Sequence, residues 1–158
     1  NPAVSLAFAL NRELPWRLCA YYIAAQVVGM IAGAWLAHLM FELPLAQVSN
    51  TVRGGPGMAL GEAVAAFGLV LTIFGLKERN AAQIPLAVGL YITSAYWFTS
   101  STSFANPAIT IARSLSDTFA GIAPASVPVF ILCQLAGMLL ALAFSRWLWP
   151  GRRSVRKT

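Results

Sequence analysis

The chain has 158 residues, 58% of them hydrophobic and 10% charged, with a formal net charge of +6 and a mean hydropathy of +0.69. Soluble domains carry roughly 25% charged residues, so this composition excludes a disordered chain, a nucleic-acid-binding tail and most soluble enzymes. It predicts a single all-α membrane domain.

In chain order, the sequence predicts a short helix over 1–10 leading into a span at 18–41. Two spans follow within 57–99, at 57–76 and 81–99. A second short helix covers 106–118, a last span 127–149, and a basic tail 150–158. Each span has about the 20 apolar residues that a bilayer crossing needs. Segments 18–41, 80–112 and 118–145 contain no Asp, Glu, Lys or Arg, and 54–76 contains only Glu62. The uncharged stretch 80–112 is too long for one span, so something apolar follows the third span without crossing.

The basic residues gather at span ends. Arg12 and Arg17 precede the first span, Lys77 and Arg79 separate the second and third, and Arg152, Arg153, Arg156 and Lys157 follow the last. The loop after the first span has only Arg53, with Glu42. Lys/Arg-rich loops are cytoplasmic, so the expected topology is multi-pass with the C-terminus cytoplasmic and the basic tail against anionic lipid head groups. Cys19 and Cys133 have no CxxC partner, and His38 has no carboxylate or cysteine near it in sequence. No metal site, cofactor or disulfide framework is expected, and a structural role is expected for His38.

The chain repeats itself. Asn1-Pro2-Ala3-Val4-Ser5-Leu6-Ala7 matches Asn106-Pro107-Ala108-Ile109-Thr110-Ile111-Ala112, and Gln26-Val27-Val28-Gly29-Met30 matches Gln134-Leu135-Ala136-Gly137-Met138. The span after the first copy runs inside to outside and the span after the second runs back, an inverted repeat of the kind that channels and transporters use. Asn is a strong helix N-cap and Pro suits the first helical position, so each Asn-Pro-Ala opens a helix too short to cross. Such half-helices are tolerated at membrane depth only against protein or a water-filled cavity. Small residues at spacing four, Gly29/Gly33, Gly57/Gly61/Ala65 and Gly137/Ala141/Ser145, predict close helix packing.

With the two Asn-Pro-Ala motifs, the paired glutamine spans, Gly61-Glu62 and Ala87-Val88-Gly89-Leu90, the chain resembles the aquaporin (major intrinsic protein) family over nearly its whole length. Segment 103–122 resembles bacterial members linked to arsenic resistance. The resemblance implies an aquaporin-like inverted-repeat bundle, here four spans and two half-helices, with the family's first two spans missing. The chain therefore looks like an N-terminally truncated fragment.

The resemblance also implies roles. Asn1, Pro2, Ala3, Asn106, Pro107 and Ala108 form the pore motifs, with Asn1 and Asn106 meeting near the membrane midplane and donating to the passing molecule. The filter would comprise a residue of a missing span, Ser103, Ile109 and a residue of the third span; loop counting makes this last one Ser94, but helix register, which slips less easily than a loop, makes it Tyr96. Most members have arginine where this chain has Ile109, and glycerol facilitators have Asp where it has Thr110. Asn106, Ile109 and Arg113 share a helix face, so Arg113 is a candidate outer-mouth charge, with Asp117 at i+4 as its candidate partner. Glu62 would accept backbone N–H groups from the loop holding the second motif.

The implied function is a passive channel for water and small uncharged solutes, such as polyols or undissociated metalloid hydroxides like arsenite. The implied assembly is a homotetramer among the lipids of a bacterial plasma (inner) membrane, with no nucleic-acid partner. The competing expectations are a coupled secondary transporter and a non-functional truncated channel. An enzyme is not expected, since no nucleophile–base spacing is present.

Overall fold

The computed structural model describes residues 1–77 and 79–149. Glu78 and the predicted basic tail, 150–158, lie outside the described residues. The order is α1 (Pro2–Leu10), α2 (Trp16–Met40), α3 (Pro56–Leu76), α4 (Ile84–Phe98), α5 (Pro107–Arg113) and α6 (Val127–Leu148). Short 3₁₀ turns, Ala81–Gln83 and Pro124–Ser126, lead into α4 and α6. The described residues contain no strand.

Three helices, α2, α3 and α6, are each long and apolar enough to cross a membrane. The third expected span, 81–99, is built from two pieces. Its α-helical part has 15 residues, about 22 Å, and the preceding 3₁₀ turn adds about 6 Å. Together they approach the roughly 30 Å of a bilayer core. Pro85 sits in the first turn of α4, where a missing N–H costs nothing, so the α-helix starts there and the residues before it wind more tightly.

Both Asn-Pro-Ala motifs open half-helices as their chemistry predicts. Asn1 Oδ1 accepts from Ala3 N–H at 3.0 Å. Asn106 Oδ1 accepts from Ala108 N–H at 2.9 Å and Ile109 N–H at 3.3 Å. The second half-helix is shorter than the expected 106–118 and ends at Arg113. Ser114 causes the stop. Its hydroxyl donates back to Ile111 O at 2.7 Å, and the next amides bond three residues back, Leu115 N–H to Ala112 O and Ser116 N–H to Arg113 O. Serine hydroxyls compete in this way with the helical ladder.

The four long elements alternate in direction between two mouths. The first mouth gathers the ends of α1, α3 and α6: Lys77 pairs with Glu13, and Arg146 donates to Leu10 O. The second gathers the end of α2, the 41–55 loop and the 114–123 segment. There Ser49 N–H donates to Ser114 O, and Ala123 N–H to Thr51 O. The main core lies where α1, α3 and α6 meet, around Ala7, Leu69, Val70, Met138 and Leu142.

Of the small-residue stripes, Gly137 performs as expected. A Cβ there would lie 2.1 Å from Ala63 O, so the α3 and α6 backbones approach too closely for any side chain. Gly61 is crowded by Ser100 and Ser101, whereas Gly29, Gly33 and Gly57 have nothing within 4 Å. Gly29 is the repeat equivalent of Gly137, yet no helix of the described chain packs on it. Along α2 only Cys19 and His38 are buried.

Candidate functional site

The half-helices meet tip to tip. Asn1 Nδ2 donates to Ala105 O at 2.7 Å, joining the first motif to the residue before the second. Ala3, Ala7, Ala105 and Ala108 are all buried, so small side chains allow the two tips to approach. Asn106 Nδ2 donates to no group among the described residues, and its Oδ1 is occupied by the cap. Free donors therefore remain where two positive helix ends converge.

The segment before Asn106 is backbone-strained and held by one carboxylate. Thr102, Ser103 and Ala105 have φ of 62°, 49° and 47°, a left-handed region that costs non-glycine residues about 1–3 kcal/mol each unless the surroundings enforce it. Glu62 enforces it. Oε1 accepts from Phe104 N–H at 2.8 Å, and Oε2 from Ala105 N–H at 2.9 Å and Gln134 Nε2 at 2.6 Å. In a trans peptide N–H and C=O point in opposite directions. With the Phe104 and Ala105 amides turned to Glu62, the Ser103 and Phe104 carbonyls face away from it, free to accept from a solute.

Each half-helix is also tied to the following span. Gln26 Nε2 donates to Ser5 Oγ at 2.9 Å, and Gln134 Nε2 to Thr110 Oγ1 at 2.9 Å. Ser5 and Thr110 each stand four residues after their Asn, so the repeated glutamines make the same bond twice. Thr110 thus serves as the acceptor for this glutamine.

The expected filter residues divide. Tyr96 and Arg113 line a cavity of about 230 Å³ at the second mouth, with Arg53, Trp97, Thr102, Phe119 and Ala120. Ser103 is buried, with Oγ finding no partner among the described residues. Ile109 packs, partly buried, against the cluster of Phe104, Ile122 and Phe130. Ser94, the alternative to Tyr96, turns its hydroxyl back onto Leu90 O.

Arg113 is placed differently from expectation in one respect. It does not pair with Asp117, because α5 ends before that residue. Asp117 instead accepts from Asn50, through the backbone N–H at 2.9 Å and Nδ2 at 3.2 Å. Arg113 Nη2 donates to Tyr96 Oη at 2.8 Å, and its guanidinium lies 4.3 Å from the Phe104 ring centre. His38 has the structural role expected: it is buried and touches Leu45 O at 3.3 Å and Ser116 Oγ at 2.9 Å, fastening α2 to the 114–122 segment.

Arg53 is the site residue that the sequence did not reveal. Its Nε donates to Gly121 O at 2.7 Å and its Nη2 to Phe119 O at 2.8 Å, while Nη1 reaches Ser101 O at 3.4 Å. Its guanidinium lies 5.0 Å from the Phe104 ring centre. Burial, and then the Arg113 charge beside it, lower the Arg53 pKa from its ordinary value, while Glu62 and Tyr96 act in the opposite sense. Its partners are backbone carbonyls, which leave no mark in a sequence. The one available signal is that it stands alone as a charge between Glu42 and Glu62.

Two capped half-helices meeting inside an inverted-repeat bundle define a membrane protein built around re-entrant segments. A family profile described as Major intrinsic protein matches residues 1–103. Aquaglyceroporin AqpS of Rhizobium meliloti (strain 1021) is 55% identical over 159 residues, covering 100% of this chain and 68% of the relative. Aquaporin NIP2-3 of Zea mays is 33% identical over 132 residues, covering 77% of this chain and 43% of the relative. Aquaporin NIP1-1 of Oryza sativa subsp. japonica is 34% identical over 144 residues, covering 87% and 49%. The chain thus belongs to the major intrinsic protein family, whose members are channels and not enzymes. It spans about two thirds of the first of these relatives and less than half of the other two.

Proposed function

We propose that the whole protein is a passive channel for water and small uncharged solutes, polyols or undissociated metalloid hydroxides such as arsenite among them. It would be a homotetramer in a bacterial plasma membrane, with the C-terminus cytoplasmic and the second mouth outside. The observation that carries this reading is the bond from Asn1 to Ala105, which brings two helix N-termini together beside free carbonyls and free amide donors. Such a point can exchange hydrogen bonds with a hydroxylated solute while opposing cations. We read 1–158 as one partial domain of the family, since the chain spans only part of the length of its relatives. The pore lining proposed is Asn1, Pro2, Ala3, Asn106, Pro107 and Ala108, with Tyr96, Ser103 and Ile109 at the filter, Arg113 as the outer-mouth charge and Glu62 as scaffold.

Isoleucine at 109 supplies neither charge nor donors, so the filter should admit bulkier neutral solutes than an arginine-bearing one. Ile109→Arg in the full-length protein tests this by vesicle swelling and whole-cell uptake. Polyol and arsenite flux should fall far more than water flux. Unchanged polyol and arsenite flux in a folded, water-permeable variant would remove Ile109 from the filter.

A further inference from the structure

Arg113 is a charge with spare donors, held in one place. Its Nη2 is bound to the Tyr96 hydroxyl at 2.8 Å and its plane lies over Phe104 at 4.3 Å, while Nε and Nη1 donate to no group among the described residues. Phe104 is itself fixed, since its backbone N–H is bound by Glu62 at 2.8 Å and its side chain is buried against Ile122 and Phe130. Tyr96 accepts from Arg113, so its own hydroxyl proton stays available to a solute. Both groups open onto the same cavity, beside Thr102, Trp97 and Phe119.

Among the described residues no carboxylate forms an ion pair with Arg113. Among the described residues the only ion pair is Lys77 with Glu13 at the other mouth. Asp117 is occupied by Asn50, and Glu62 by two backbone amides and Gln134. Arg53 adds a second positive charge over the same phenyl ring, 5.0 Å away. It is anchored on the carbonyls of Phe119 and Gly121, beyond α5, and reaches Ser101 O ahead of it. It positions both flanks of the cavity.

We infer that Arg113, one turn beyond Ile109 and clamped by Tyr96 and Phe104, supplies the cation barrier and fixed donors that Ile109 lacks, so that this mouth accepts neutral oxygen-bearing solutes and rejects small monovalent cations. The inference rests on the channel reading above and adds what the mouth discriminates. A fixed charge at the mouth raises the energy of any cation there and leaves neutral solutes nearly unaffected. The barrier would sit further along the axis and leave the Ile109 level wider, separating solute size from solute charge.

The test uses the full-length protein in vesicles, reading the ratio of potassium leak to water permeability. Arg113→Met should raise that ratio about tenfold or more, because one unit charge is removed from the mouth. Arg113→Lys should change it less than about threefold, since the charge remains. Tyr96→Phe should fall between, since Phe104 alone then holds the guanidinium. A second measurement needs no variant: in the native protein the ratio should climb when the salt on both sides rises from about 0.01 M to about 1 M, as the screening length falls from about 30 Å to about 3 Å. A ratio unmoved in Arg113→Met, a ratio raised as much by Arg113→Lys, or a ratio insensitive to salt would each overturn the inference. Native vesicles no more water-permeable than empty ones would instead refute the channel reading and take this inference with it.

Discussion

Glu62 is fully buried, in a span that otherwise carries no charge, and every bond it makes serves the second motif. Removing the acceptor while keeping the shape leaves Phe104 N–H, Ala105 N–H and one of the two Gln134 Nε2 hydrogens without partners, at about 1–3 kcal/mol for each buried donor. Glu62→Leu in the full-length protein should therefore collapse the yield of monodisperse, detergent-extracted material. Glu62→Gln keeps one acceptor but turns an amide donor towards another donor, so its yield and melting temperature should fall between the two. Native-like yield and melting temperature for Glu62→Leu would disprove the scaffold role. The sequence revealed Glu62 because an isolated carboxylate in an apolar span is conspicuous. It could not reveal Arg53, whose partners are carbonyls, nor the Arg113–Tyr96 bond, which joins residues on different helices. The Arg113–Asp117 pairing failed because it required the helix to continue through Ser114.

At the scale of elements, charge gaps located the spans and Asn-Pro-Ala capping located the half-helices among the described residues, and the errors lie at ends where local chemistry decides. The prolines and serines at those ends set where α4 begins and α5 stops. What α2 packs against was not legible. Gly29 and Gly137 read alike in sequence, yet only Gly137 meets a neighbour, at Ala63 O. The inverted repeat makes a definite prediction from that difference. Gly137→Ala should force α3 and α6 apart and sharply lower the yield of full-length protein. If an additional span packs on α2 as α3 packs on α6, Gly29→Ala should lower the yield to a similar degree. A harmless Gly29→Ala beside a damaging Gly137→Ala would show that the two halves do not pack alike.

For the whole molecule, the two glutamine-to-hydroxyl bonds, Gln26 to Ser5 and Gln134 to Thr110, extend the repeat from sequence into structure. They fix each half-helix to its own span, so the tips stay together while the mouths stay apart. A rigid centre of this kind suits a pore that conducts without changing shape. A coupled transporter would need a second buried carboxylate to couple an ion, and the one buried carboxylate among the described residues, Glu62, is occupied by three donors. The most direct measurement is stopped-flow light scattering on vesicles holding the full-length protein, with water or glycerol moving down its own gradient and no proton or sodium gradient present. A passive pore predicts rates well above those of empty vesicles, unchanged when a proton or sodium gradient is added. Flux that appears only with such a gradient would contradict the account.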